Sequence, residues 1–452
     1  MNAEKTKLPK IKKTKMSDSE HSFAMNYTLD LTEDQILEFK KYGGARGFVY
    51  NLMLEERETL YAQWKSGNHK EKRNFRQMDQ SASLSSLKKI PEASFLKEVP
   101  SQILQQACLD LHKSFEAFFK GEKGYPKKYK RSKSGYKFRF PDPKQFEVKF
   151  LNKNNATIDL PKIGEVRFKT GNRKIPNSGR IRSCTIKGSP SGDIWSISFN
   201  LGISKEDFKN SIPENKGSSV GIDRGIKIAM QLSNGDSFQF PLDEIKLQEK
   251  KISKIQKSLR KKIKFSKNWK KSQLKIGRLH KKISNIRQDW IHKTTTTIAK
   301  NHGLVVFENL KLKNMSKSAS GTLESPGKNV SQKSGLNKSL LRMGMGEQSR
   351  QLEYKCNWYG SYFIKINPKN SSRECSSCGH TEKMNRKNQS EFECQNCELK
   401  MNADLNASKV ILARGHRVLV CGEIVSDTAS NGMSLNISTK QKPLVFSNRK
   451  VA

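Results

Sequence analysis

Acidic residues are scarce in this sequence. The 452-residue chain has 43 Asp and Glu against 86 Lys and Arg, a formal net charge of +43. That many uncompensated positive charges repel one another in a compact fold unless a polyanion screens them. The composition therefore excludes an ordinary neutral-substrate enzyme with a balanced surface, and nucleic acid is the polyanion it points to. Long apolar runs are also missing, and no stretch approaches the ~18 residues of a membrane span. Residues 1–15 are basic but lack the apolar segment of a secretory signal. Basic residues are spread along the chain and not gathered on one amphipathic face, which argues against a membrane surface as the partner. Cysteine is sparse and uneven: of Cys108, Cys184, Cys356, Cys375, Cys378, Cys394, Cys397 and Cys421, half lie in one cluster. A secreted disulfide framework spreads its cysteines more evenly, so a reducing cytoplasm is expected. There is no internal repeat. Apolar residues make up only 34% but fall in periodic segments, enough for buried cores. At ~150 residues each, about three domains are expected.

Local patterns then divide the chain. Thr32 and Gln35 form a capping box ahead of Ile36 and Phe39. Phe48, Val49, Leu52, Leu60, Tyr61 and Trp64 continue at helical spacing, with Gly43-Gly44 expected to separate two helices. Ser101 opens a third helix, with Ile103, Ala107, Leu111, Phe115 and Phe118 on one face. From about residue 124 the period becomes two. Residues 137–140, 146–150, 157–160, 165–168, 180–187 and 194–199 alternate apolar with polar or basic side chains. Such strands predict a small barrel with a basic outer face, either phosphate-facing or simply solvated. Further strands are expected at 220–223, 228–232 and 238–240, the last two joined by a type I′ turn at Asn234-Gly235. Residues 245–290 hold 17 Lys and Arg against two acids. Ile252, Ile255, Leu259 and Ile263, then Ile276, Leu279, Ile283, Ile286 and Trp290, predict an antiparallel helix pair with apolar seams and basic backs. Residues 303–307 read as a short buried strand, 315–340 as a mobile loop, and 422–452 as a disordered tail.

Two constellations carry chemistry. Cys375-x2-Cys378 and Cys394-x2-Cys397 are separated by 15 residues. Each Cys-x-x-Cys turns two thiolates toward one centre, and two such turns complete the closed tetrahedron of a structural zinc site. Gly379 gives the first turn a permissive backbone. Disulfides or redox pairs do not explain the doubled spacing, and His380 is expected to stay outside a filled shell. The second constellation is Asp223 in Gly-Ile-Asp-Arg-Gly, Glu308 after Val-Val-Phe, and Asp404 in Asn-Ala-Asp-Leu-Asn-Ala. An acid at a strand end or helix start is ordinarily a cap or solvated. In a chain this basic, three acids ending core elements are not needed for solubility. Brought together they repel unless divalent cations lie between them, and such clusters bind Mg²⁺ or Mn²⁺.

The order of these motifs resembles the RuvC-type nuclease of the transposon-associated TnpB family, relatives of the type V CRISPR effectors. Gly-x-Asp-x-Gly, Phe-Glu-Asn, the four-cysteine ribbon and Ala-Asp-x-Asn-Ala carry the resemblance. Arg46-Gly-Phe-Val-Tyr-Asn51, Val99-Pro-Ser-Gln102, Phe138-Arg-Phe-Pro141, Glu353-Tyr-Lys-Cys-x-Trp-Tyr-Gly360, and Gly415-His-x-Val418 before Cys421-Gly422 extend it from residue 29 to 422. The resemblance implies an α+β multidomain fold. Its parts are a β-barrel wedge domain with a helical recognition insert, an RNase H-like RuvC nuclease domain with a mixed sheet, and an inserted zinc ribbon. Expected boundaries are a basic arm and first wedge strand (1–28), recognition helices (29–123), wedge barrel (124–215), RuvC (216–369 and 401–421), ribbon (370–400) and tail (422–452). The implied activity is RNA-guided DNA cleavage by two-metal hydrolysis. Asp223, Glu308 and Asp404 would be catalytic Mg²⁺ or Mn²⁺ ligands, and Cys375, Cys378, Cys394 and Cys397 structural zinc ligands. The implied partners are a guide RNA from the transposon end and double-stranded target DNA, in a prokaryotic, nucleoid-associated cytoplasmic setting. The loop at 315–340 falls where a lid over the nuclease site could sit. Two alternatives are a guided DNA-binding repressor that does not cut and a transposase that joins DNA ends. The sequence departs from the family's pattern at Asn402, where Asp is common, and at Ser408, where Ala is usual.

Overall fold

The computed structural model describes residues 20–66, 77–171, 173, 175–176, 178–210, 217–322 and 324–421. The arm before residue 20 and the expected tail at 422–452 lie outside the described residues. The chain divides into two compact units, each assembled from separate stretches. Among the described residues no helix is long and apolar enough to cross a membrane.

The first unit is built on seven strands: β1 (Glu20–Asp30), β2 (Tyr136–Phe140), β3 (Glu147–Phe150), β4 (Asn155–Leu160), β5 (Gly164–Lys169), β6 (Arg180–Gly188) and β7 (Trp195–Ser204). They pair antiparallel in the order β2-β6-β7-β1-β5-β4-β3. Alternation sorts the side chains as expected, with Phe138, Phe140, Val166, Phe168 and Phe199 buried and Arg167 and Lys169 exposed. The expected barrel is not closed: β2 and β3 are the two ends of the sheet and do not pair. Pro141 and Pro143 lie between them and offer no amide donors where a ladder would have to close.

Three helices, α1 (Glu33–Lys65), α2 (Gln77–Leu87) and α3 (Ser101–Phe119), join the same core. The capping box at Thr32 and Gln35 forms, and α1 then runs unbroken for 33 residues through Gly43-Gly44. The glycine serves packing: a Cβ on Gly43 would stand 2.8 Å from Tyr136 Cβ, and one on Gly47 2.4 Å from the Tyr129 ring. The serine-rich α2 has little apolar period and escapes sequence reading. Gln80 anchors it, donating to Met53 O at 3.0 Å and accepting from Arg57 Nε at 2.9 Å. The basic segment forms the expected hairpin, α4 (Leu242–Leu259) and α5 (Lys267–Asn301), closed on Ile245, Ile252, Ile276 and Ile283. Ile263 falls beyond α4 and is exposed, not part of the seam. Helix Met345–Trp358 is held to α5 by Lys355, whose Nζ donates to His292 O and to the Thr295 and Thr296 hydroxyls at 2.7–2.9 Å.

The second unit is a five-stranded mixed sheet in the order β10-β9-β8-β11-β12: β8 (Ser218–Asp223), β9 (Met230–Leu232), β10 (Ser237–Phe238), β11 (His302–Glu308) and β12 (Tyr362–Ile366). β8, β9 and β10 are antiparallel, while β8, β11 and β12 run parallel, the RNase H-like arrangement. The β9–β10 connection is a three-residue loop, not a type I′ turn. Gly235 N–H reaches Leu232 O at 3.1 Å, Leu232 N–H reaches Asp236 O at 2.8 Å, and the left-handed residue is Gly235 (φ 99°). Asn234 stays out of that conformation because its side chain bonds Asp236, accepting from the amide at 3.1 Å.

The last helix, α6 (Ala403–Cys421), lies on this sheet through two glycines. A Cβ on Gly221 would stand 2.2 Å from Ser408 O, and one on Gly415 2.3 Å from Val306 Cγ2. The segment 315–340 is not a structureless loop, since residues from Val330 onward are helical within Val330–Met343. Lys333 Nζ and Asn337 Nδ2 reach back to the carbonyls of Met315, Ser316 and Lys317 at 2.6–3.1 Å. Those bonds order a sequence whose own propensity is weak.

The neighbouring glycines of α1 make a matched test. Gly44 has nothing within 4 Å of a built Cβ, so Gly44→Ala should stabilise by about 0.5–1 kcal/mol. Gly43→Ala, pressed against Tyr136, should destabilise by about 1–3 kcal/mol. Urea unfolding of the two variants checks the opposite signs.

Candidate active site

Parallel strands covered on both faces read as continuous apolar runs, and the first side chain past the run stands at the carboxyl edge of the sheet. Asp223 ends β8 and Glu308 ends the neighbouring parallel strand β11 in this way. Asp404 is the second residue of α6. Asn402 Oδ1 accepts from the amides of Asp404 and Leu405 at 3.0 and 3.1 Å, so the departure to Asn keeps an effective helix cap. Ser408 is buried and its hydroxyl is satisfied by Leu405 O at 2.7 Å.

All three carboxylates line one cavity of about 310 Å³, together with Arg224, Ser371 and Arg386. Burial, then the charges of Glu308 and Asp404, push the Asp223 carboxyl up to about 7. Burial also raises Glu308, opposed by a hydrogen bond from Ser371 Oγ and by the charge of Arg224. Arg224 is buried beneath this edge. It donates to Glu308 O at 2.8 Å, and its guanidinium stands 4.5 Å from the Phe307 ring centroid. Arg386 Nη2 approaches Asp404 Oδ1 at 3.5 Å. Sequence reading finds the acids but not these three partners. Arg224 sits inside the Gly-x-Asp-x-Gly motif and could have been noticed there. A lone Ser371 or Arg386 carries no pattern.

The four cysteines also meet. Their Sγ atoms all lie within 4.8 Å of one another, and the Cys375–Cys397 and Cys378–Cys394 pairs are each 3.6 Å apart. Among the described residues this is the one metal-suited set so tightly gathered, and the carboxylates ring a wider space. A tetrahedral ion with ~2.3 Å metal–sulfur bonds needs sulfur spacings of about 3.8 Å, so the thiolates fit one. Gly379 holds the first knuckle at φ 74°, and Glu398 takes the matching left-handed position in the second at φ 57°. The His380 amide and the Asn396 carboxamide donate toward Cys378 and hold its thiol down to about 6. His380 itself faces Glu382 at 3.2 Å, outside the sulfur set. The ribbon is fastened to α6: Asn406, fully buried, donates to Glu374 O at 2.7 Å and accepts from Ser376 N–H at 2.9 Å, and Arg414 pairs with Glu374.

Comparison with known proteins follows the same division. Residues 204–319 match the OrfB_IS605 family, described as "Probable transposase", residues 346–411 the Cas12f1-like TNB domain, and residues 22–66 a helix-turn-helix domain. Over that last span the fold is β1 followed by the single helix α1. The chain is 38% identical over 403 residues to "Putative RNA-guided DNA endonuclease InsQ" of Escherichia coli (strain K12), covering 89% of this chain and 94% of that protein. The chain belongs to the TnpB family. A second relative, "Putative RNA-guided DNA endonuclease" of Streptomyces pristinaespiralis, is 28% identical over 423 residues, 93% of this chain and 96% of its own. The TnpB-family fold is shared with the structure titled "Cryo-EM structure of the Cas12f1-sgRNA-target DNA complex". That match has a TM-score of 0.51 at 16% identity and covers 84% of this chain and 83% of that one.

The raised Asp223 carboxyl has a sign that can be measured. Its folded value lies above the unfolded one, so without divalent ions its contribution to stability is intact below pH ~4 and lost as pH rises through about 7. Asp223→Asn should therefore stabilise the metal-free protein at pH 7.5, on the order of 4 kcal/mol, and not at pH 4. Added Mg²⁺ should raise the melting temperature of the native chain at pH 7.5 and of the variant little. Thermal unfolding with and without Mg²⁺ reads both.

Proposed function

We infer that this TnpB-family protein is an RNA-guided DNA endonuclease whose nuclease centre is Asp223, Glu308 and Asp404. The observation that carries the reading is the convergence of three acids, from distant parts of a strongly basic chain, on one cavity where burial and the charges of Glu308 and Asp404 make Asp223 costly to ionise. An all-oxygen donor set of this kind suits Mg²⁺ or Mn²⁺. When bound there, such ions supply activation of a water and stabilisation of the leaving oxygen of a phosphodiester. The chain's own groups do the rest. Ser371 orients the Glu308 carboxylate, Arg224 fixes the Glu308 main chain, and Arg386 brings a cation to the mouth of the site. The cysteine set is assigned to zinc because a closed shell of four thiolates suits that ion and leaves no position for catalysis.

The relatives' names, and the guide RNA and target DNA in the Cas12f1 complex title, support sequence selection by a guide strand. On this reading the protein grips the guide–target duplex by shape and phosphate, and the guide derives from the end of the host transposon. The seven-stranded sheet with α1–α3 is proposed to serve as wedge and recognition region.

The test is to purify the protein, sequence the RNA that accompanies it, and assay Mg²⁺-dependent cleavage of a matching duplex. Asp223→Ala, Glu308→Gln or Asp404→Ala should each lower cleavage by more than about 100-fold with RNA binding unchanged. Ser371→Ala should cost about 10–100-fold, the usual range for a residue that orients a metal ligand. Undiminished cutting by Asp223→Ala would refute the assignment.

A further inference from the structure

The helical hairpin α4–α5 carries a second feature that the nuclease centre does not use. Between the two helices runs an open groove of about 470 Å³ lined by Lys251, Lys254, Ile255, Lys275, Arg278 and Leu279. Ile255 and Leu279 form an apolar floor and belong to the hairpin's seam. Four cations stand along its rims, two from each helix, and each pair is spaced by three residues, so both point to the same side of their helix. Arg278 shares its guanidinium with Asp193 at 3.1 Å. Among the described residues Lys251, Lys254 and Lys275 have no acid within ion-pair distance. The groove itself contains no acid.

Exposed lysines that merely solubilise a helix are commonly interleaved with acids at i,i+4. Over residues 245–290, 17 cations face two acids, and an apolar strip lies open between cationic rims. A single sugar–phosphate strand matches that cross-section. Its sugars offer apolar faces to the floor and its phosphates can reach both rims, whereas a duplex presents only a rounded outer face to so narrow a strip.

We propose that the α4–α5 groove is a binding site for one nucleic-acid strand, held by its backbone and without regard to sequence. The site is independent of the carboxylate centre and of whether the protein cuts. Lys251 and Lys254 grip from one rim, Lys275 and Arg278 from the other, and Ile255 and Leu279 carry the sugars.

The test uses full-length protein carrying Asp223→Asn, so that no cleavage intervenes, with binding measured by fluorescence anisotropy over a salt series. The probes are oligo(dT), oligo(U) and a DNA duplex of equal length. Each phosphate neutralised on a single strand contributes about 0.7 to the slope of log affinity against log salt. Replacing Lys251, Lys254, Lys275 and Arg278 with Gln should lower the slope on at least one single-stranded probe by about 2–3. The single strand that loses more identifies the source as DNA or RNA. The control replaces Lys128, Lys149, Lys246 and Lys293 with Gln, the same charge change at lysines already paired with Glu55, Glu147, Asp243 and Asp289. It should move the slope by less than 1. Lys251→Gln with Lys254→Gln alone should give about half the loss, which guards against misfolding of the fourfold variant. Equal losses in groove and control variants would overturn the proposal, as would a loss confined to the duplex.

Discussion

The second unit depends on how closely a helix can approach a strand. β8 carries Asp223 at its end and α6 carries Asp404 at its start, and the two meet where Gly221 lies under the Ser408 carbonyl. A side chain on that strand would lift the helix, because close-packed interiors absorb even one extra methyl only by shifting. The first glycine of Gly-x-Asp-x-Gly is therefore a distance constraint between two acids. Gly415 repeats the device further along the helix against Val306, so α6 is seated at two points on two adjacent strands.

Electrostatics explain why so basic a chain should gather its acids. Three carboxylates at one edge are costly without cations, and the metal-free fold already contains a partial answer in Arg224 beneath the edge and Arg386 at the mouth. Neither cancels the cost, since burial and then the charges of Glu308 and Asp404 still hold the Asp223 carboxyl well above its ordinary range. The same field that draws a polyanion to the surface makes a patch of concentrated negative charge conspicuous, and divalent ions are the natural complement to both.

Much of this was open to reading in the sequence. The capping box at Thr32, the alternation of β2 to β7, the seams of α4 and α5 and the cysteine spacing each rest on contacts within a few residues or on a strict period. Asp223 and Glu308 stand out because apolar strands end at them, and Asp404 because the last helix begins there. What stays hidden depends on partners far along the chain. Gly43-Gly44 looks like a break until Tyr136 is found packed against Gly43. Asn234-Gly235 suits two kinds of hairpin, and the bonding to Asp236 decides. Helix Val330–Met343 has no strong period and is ordered from outside, while Ser371, Arg224 and Arg386 acquire meaning only once the sheet has brought them to the cavity. The open edge of the seven-stranded sheet belongs to the same class, for local alternation says nothing of whether the first and last strands join.

The fastening of α6 to the cysteine knuckle has a wider consequence. Asn406 and Arg414 tie the helix that bears Asp404 to Glu374 and Ser376, the residues on either side of Cys375. Because a small metal-held module draws its folding energy from its ion, a shortage of that ion would be felt at a different place, as misalignment of an acid that never touches it. On the proposed assignment of the two sites, one element's supply becomes a precondition for chemistry performed with another, and a cell poor in the first would own an intact polypeptide with an idle blade.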